Sequence, residues 1–82
     1  MKVEVDLFAT LADFLPPSSR GSHGVIDVPE DCTIADLAAR LGIPSELPWI
    51  ALVNGHEAPS DQRLAPNDVV SMFPPLAGGS NR

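Results

Sequence analysis

Thr33-Ile34-Ala35-Asp36-Leu37-Ala38-Ala39-Arg40-Leu41-Gly42 is the stretch on which the fold turns. Ile34, Leu37, Ala38 and Leu41 recur at i, i+3, i+4 and i+7, which gives a helix one apolar stripe. Thr33 stands where an N-cap belongs, with Asp36 three residues on. Gly42 can take the left-handed conformation that ends a helix, and Pro44 prevents the helix from resuming. A single amphipathic helix of this length must lay its stripe on something, and the flanking segments supply a sheet.

On the N-terminal side, Val25, Ile26 and Val28 form a short β run closed by Pro29-Glu30-Asp31. Before it, Val3, Val5 and Leu7 alternate with Lys2, Glu4 and Asp6, the period of a strand with one buried face. That strand is predicted over residues 2–8, in a hairpin with the first run. Between them, Thr10 and Asp13 have capping-box spacing for a short helical turn through Leu15, which Pro16 and Pro17 end. The polar residues 18–23 read as a loop.

On the C-terminal side, Trp49-Ile50-Ala51-Leu52-Val53 is nearly all apolar, as in a strand inside a sheet, and Asn54-Gly55 supplies the positive φ angles of a tight hairpin. Residues 56–59 pair back briefly. A loop with Leu64 anchored in the core leads to Pro66-Asn67-Asp68, where Asn67 suits a left-handed turn. Residues 69–73 form the last strand. The order strand, strand, helix, strand, short strand, strand predicts an α+β β-grasp fold: a mixed sheet of four to five strands with one main helix on one face. The other face stays partly open.

The chain of 82 residues has the length of one domain, and a domain this small buries only about 60% of the surface exposed by the unfolded chain. The domain is expected over residues 1–75, with residues 76–82 as a flexible tail. Eleven acidic residues against five basic ones give a net charge of −6, which repels a phosphate backbone and argues against nucleic acid. Cys32 is the only cysteine, so internal disulfides and paired-cysteine metal sites are excluded. No leader pattern or membrane-length apolar run is present, and a cytoplasmic location is expected.

The tail carries the chemistry. Pro74 and Pro75 donate no backbone hydrogen bond and force the chain out of the sheet. Leu76-Ala77-Gly78-Gly79 then projects, and from Pro74 onward six extended residues reach on the order of 20 Å. Two glycines without Cβ atoms fit a narrow channel and leave the acyl carbon open to attack. A terminal carboxylate becomes reactive once adenylation turns it into a mixed anhydride, which a thiolate or persulfide can attack.

Phe73-Pro74-Pro75-Leu76-Ala77-Gly78-Gly79 resembles the terminal motif of the MoaD/ThiS family of ubiquitin-like sulfur carriers, nearest to the small subunit of molybdopterin synthase. The body resembles family segments in the same order at residues 3–9, 33–41, 53–55 and 64–70. The resemblance implies a carrier, not an enzyme, with no bound cofactor. A ubiquitin-activating-type enzyme would use ATP to adenylate Gly79, the product would become a thiocarboxylate, and an acceptor such as the large synthase subunit would take the sulfur. Gly78 would let the tail thread. Phe8, Phe73, Pro74, Pro75, Leu76 and Ala77 would meet partners, with Phe8 and Phe73 out of phase with the buried strand residues.

Two departures accompany the resemblance. Ser80, Asn81 and Arg82 follow the diglycine and block adenylation of Gly79, so either a peptidase of the JAMM metalloprotease kind trims them or the carrier is inactive. Asn67 stands where a glycine is commoner. The alternatives are a carrier for thiamine, cysteine or secondary-metabolite synthesis, or a ubiquitin-like modifier or binding module.

No catalytic or metal-ligating set emerges. His23 and His56 are expected in separate loops without a third ligand. Cys32, just before a helix, could have a lowered thiol pKa or be a small packing residue. Trp49 could anchor an interface or cover the core. Asp13, Asp31 and Asp36 read as caps and turn formers.

Overall fold

The computed structural model describes residues 1–15, 21 and 23–75. Its elements are β1 (Lys2–Leu7), a 3-10 turn (Ala9–Phe14), β2 (His23–Asp27), α1 (Ile34–Leu41), β3 (Ile50–Val53), β4 (His56–Glu57) and β5 (Val69–Phe73). The five strands form one sheet in the order β2-β1-β5-β3-β4. β1 and β5 are parallel, with Glu4 opposite Val69 and Leu7 opposite Met72, and the other pairs are antiparallel. This is the β-grasp expected from the order of elements, with the last strand at the centre.

Alternation decides what is inside. Val3, Val5 and Leu7 of β1, Val70 and Met72 of β5, and Ala51 and Val53 of β3 point to one face and are buried. Ile34, Leu37 and Ala38 of α1 close over that face, joined by Leu11, Val28, Cys32, Ile43 and Leu64. Among the described residues no polar or charged side chain is buried.

The helix ends behave as their residues dictate. The Asp36 N–H donates to Thr33 Oγ1 at 3.1 Å and the Thr33 N–H to Asp36 Oδ2 at 3.2 Å, a reciprocal capping box. The next orphan donors find carbonyls in the following loop: the Ile34 N–H reaches Gln62 at 3.1 Å and the Ala35 N–H reaches Ser60 at 2.9 Å. At the other end Gly42 has φ 85°, and the amides of Gly42 and Ile43 donate back to Ala39 and Ala38. This is a Schellman termination, which requires the left-handed residue.

Asn54 is a second local knot. At φ 53° it turns β3 into β4, its Oδ1 accepts from the Val69 N–H at 3.0 Å and its Nδ2 donates to Asp68 Oδ1 at 3.0 Å. Asp68 Oδ2 in turn accepts from the Ala65 N–H at 2.8 Å. One asparagine thus ties a hairpin turn to the start of the central strand. Asn67, at φ 69°, adopts the left-handed turn expected of it.

Three expectations need correction. The Thr10–Asp13 capping box does not form: Ala9 reverses the chain at φ 55°, the turn starts after Phe8, and no side chain caps it. Burying Leu11, whose N–H donates to the Phe8 carbonyl at 3.1 Å, sets that earlier start. β1 stops at Leu7, although Phe8 stays extended at φ −116° and ψ 155°. His23 and His56 lie in strands rather than loops, opening β2 and β4. β3 lies inside the sheet between β5 and β4, as expected, with its outward residues partly buried on the open face. Of the loop expected over residues 18–23, residues 18–20 and Ser22 lie outside the described residues.

Candidate functional site

Three strand ends meet where the chain leaves the sheet. β1 and β5 run parallel and finish together, and antiparallel β3 begins beside them, with Ile50 opposite Phe73. The Phe8 N–H donates to the Met72 carbonyl at 3.1 Å, extending the ladder to the root of the tail. Beneath this junction Leu7, Leu11 and Met72 are buried, so the exit stands on packed core. Pro74 and Pro75 follow, both half-buried. Without amide hydrogens they cannot lengthen β5.

Phe8 and Phe73, the two aromatic candidates, flank this exit. Phe8 is 42% exposed and Phe73 is partly exposed. On the same uncovered face lie Ile50 and Leu52 of β3 and Val69 of β5, each partly exposed, so an apolar band crosses the sheet. Ile50 and Leu52 escaped the sequence reading because an unbroken apolar run shows no period from which to tell the two faces apart. The register with Phe73 and Ser71 is what assigns them.

The β1–β2 half of this face is mostly polar, Val25 being its one exposed apolar side chain among the described residues. His23 stands between two carboxylates, Nδ1 at 2.8 Å from Asp6 Oδ1 and Nε2 at 3.1 Å from Glu4 Oε1. Further along, Lys2 Nζ donates to Asp27 Oδ2 at 3.1 Å. An apolar band beside an acidic half suits a protein partner with apolar and basic groups.

Other candidate side chains contribute no chemistry here. Cys32 is buried, its Sγ faces the Thr33 carbonyl at 3.3 Å, and burial with the Asp36 charge pushes its thiol pKa up despite Arg40. The helix-start effect does not win. Trp49 is partly buried against the core and separates two shallow grooves, one toward α1 and one toward β4. Asp36 is a cap, as expected. Among the described residues no group of three or more His, Cys, Asp or Glu side chains could hold a metal, and no helix is long and apolar enough to cross a membrane. Leu76, Ala77, Gly78 and Gly79, with residues 80–82, lie outside the described residues.

A sequence profile of the Mut7-C ubiquitin family matches residues 1–78. The chain belongs to the Mut7-C ubiquitin family. Among curated proteins no sequence matches it. Solved structures resemble this Mut7-C ubiquitin domain over nearly its whole length. SAMP1, a small archaeal modifier protein of Haloferax volcanii, is 28% identical with a TM-score of 0.71, covering 96% of this chain and 100% of that one. A chain from the complex of subunits 1 and 2 of the Helicobacter pylori molybdopterin-converting factor is 25% identical with a TM-score of 0.59, covering 96% and 100%. A putative molybdopterin converting factor subunit 1 of Pyrococcus furiosus, at 24% identity and TM-score 0.70 over 92% and 98%, shares the fold. The resemblance to the MoaD/ThiS ubiquitin-like proteins therefore holds for this member of the Mut7-C ubiquitin family, which is similar both to a small archaeal modifier and to a molybdopterin-converting factor.

Proposed function

We propose that this protein is a sulfur carrier. After trimming of Ser80, Asn81 and Arg82 by a JAMM-type peptidase, an activating enzyme uses ATP to adenylate the Gly79 carboxylate. A sulfur nucleophile then displaces AMP to leave a thiocarboxylate. The carrier contributes the acyl group and the reach of its tail, and the catalytic groups belong to its partners. The acceptor is a molybdopterin synthase large subunit, which takes the sulfur for the dithiolene of molybdopterin. The reaction sequence runs in the cytoplasm, and the carrier binds no cofactor of its own.

The observation that carries this reading is the exit itself. The central strand ends in two prolines on a packed base, Phe8 and Phe73 stand on either side, and the sequence continues through Leu76 and Ala77 to Gly78-Gly79. The likeness to a converting factor whose subunit 1 is complexed with subunit 2 supports an acceptor that is a partner protein.

The intact mass of the untagged chain from its own cells tests the proposal. A species ending at Gly79 with one oxygen replaced by sulfur is expected. A chain ending only at Arg82 under conditions of active sulfur transfer overturns it.

The similarity to a small archaeal modifier protein favours a second use of the same activated terminus, isopeptide bond formation with lysines. Both uses begin with the Gly79 adenylate and part at the nucleophile that attacks it.

A further inference from the structure

Lys2 is the only lysine among the 82 residues; the remaining basic residues are Arg20, Arg40, Arg63 and Arg82. Arginine stays charged and does not serve as an acyl acceptor at neutral pH. The amines available to an activated acyl group are thus Lys2 Nζ and the Met1 nitrogen. Their surroundings differ.

The Met1 ammonium donates to the Val28 carbonyl at 2.7 Å, and the Val28 N–H donates to the Met1 carbonyl at 2.7 Å. This reciprocal pair extends the β1–β2 ladder, and the Met1 side chain packs on the core at 6% exposure. Acylating that nitrogen would wedge an amide into the pair and remove a charge 3.9 Å from Asp27. Lys2 is open by contrast: its side chain is 68% exposed, and its Asp27 partner is 71% exposed. An ion pair so accessible to water holds its amine weakly.

Lys2 also lies at the far end of the sheet from the exit. The Asn67 N–H donates to the Lys2 carbonyl at 2.8 Å, which sets Lys2 level with the start of β5. Phe73 is six residues further along, on the order of 20 Å. The reach from Pro74 to Gly79 is of the same size. To meet its own Lys2 the chain beyond Pro75 would have to reverse direction and span that whole distance fully extended. The Lys2 of a second copy imposes no such restriction.

From this placement we propose that Lys2 is the acceptor through which copies of this chain join, Gly79 of one to Lys2 Nζ of the next. The proposal rests on the activation of Gly79 put forward above. In the step, the deprotonated Lys2 amine attacks the carbonyl carbon of the Gly79 adenylate. The C–N bond forms, the bond from the acyl carbon to the AMP oxygen breaks, AMP leaves with the electron pair, and the nitrogen loses its proton to solvent. The root of the donor tail at Pro74 and the acceptor Lys2 lie at opposite ends of the sheet, and a single lysine per copy makes the product an unbranched chain.

The test is made on the full chain expressed in its own cells, as wild type and as Lys2→Arg, which keeps a cation opposite Asp27 and removes the acylable amine. Isolated protein is digested with trypsin. In wild type a branched peptide is expected, residues 64–79 joined through Gly79 to Lys2 within residues 1–20, which escapes cleavage at Lys2. In Lys2→Arg the branched peptide and the ladder of multimers disappear, while Gly79 thiocarboxylate and conjugates on other proteins persist. A ladder unchanged in Lys2→Arg, a branch at Met1, or activated Gly79 without self-linked species overturns the proposal. Absence of any adenylate, thiocarboxylate or conjugate in both chains instead rejects the activation of Gly79, and this proposal with it.

Discussion

Replacing Asn54 by alanine probes how the β3–β4 turn is fastened to the strand that leads into the tail. Two side-chain hydrogen bonds of 3.0 Å disappear, one from the Val69 N–H and one to Asp68. Both are exposed, so water takes over in part and each contributes about 0.5–1 kcal/mol. The backbone adds a second cost, because φ 53° suits asparagine and is unfavourable for alanine by roughly 1 kcal/mol. The expected loss is about 2 kcal/mol, against a total of roughly 4–12 kcal/mol for a chain of this length. Urea unfolding should show a lower midpoint at unchanged slope. Asn54→Gly relieves the backbone and should lose only about 1 kcal/mol, the side-chain part. Asn54→Asp keeps an acceptor for Val69 but loses the amide donor and sets a carboxylate against that of Asp68. A loss under about 0.5 kcal/mol in Asn54→Ala, or equal losses in the alanine and glycine variants, would refute the partition between side chain and backbone.

Thr33→Ala removes one half of the capping box and should cost about 1 kcal/mol by the same unfolding assay, with no change in the sheet signals of a circular dichroism spectrum. Gly42→Ala meets no atom within 4 Å of the added Cβ, so its cost of about 1 kcal/mol comes from φ 85° alone, and a larger loss would mean that α1 ends differently in solution. The Cys32 thiol, raised from the ordinary 9.0 first by burial and then by Asp36, should resist alkylation in the native chain and react on unfolding; native labelling at the rate of a free thiol contradicts its burial. Because the folded pKa lies above the unfolded one, the stability contributed by this thiol is complete below the ordinary value and is lost as pH rises through the folded value, an alkaline loss that Cys32→Ala should flatten. Phe8→Ser, at a side chain 42% exposed, should leave the unfolding midpoint within about 0.5 kcal/mol of wild type while weakening capture by the activating enzyme; unimpaired capture removes Phe8 from the docking face.

Where a pattern was local and periodic, the residues could be read directly. The stripe of Ile34, Leu37, Ala38 and Leu41, the caps at Thr33 and Gly42, and the turn at Asn54-Gly55 formed as expected, because each is settled by atoms a few residues apart. The first turn was misread at Thr10 for the opposite reason: the burial of Leu11 depends on a core assembled from distant strands, and that demand overrode a locally reasonable cap. His23 was read as a loop residue because it closes the polar run of residues 18–23. Pairing with β1 and the adjacent carboxylates of Glu4 and Asp6 drew it into β2. At the candidate site, Phe8 and Phe73 were singled out by the family resemblance, and strand phase placed them on the open face. Ile50 and Leu52 required the register of β3 with β5.

β5 is the strand in the middle of the sheet and also the last to be synthesised. Until Val69 and the residues after it emerge from the ribosome, β1 and β3 have no neighbour on their inner edges, and a nascent chain cannot complete the sheet. A polypeptide broken off before this point lacks both its central strand and its diglycine. The handle and the keystone are thus made together, and under the function proposed above an activating enzyme that gripped the Phe8–Phe73 face while taking up the tail would load only copies whose sheet is complete.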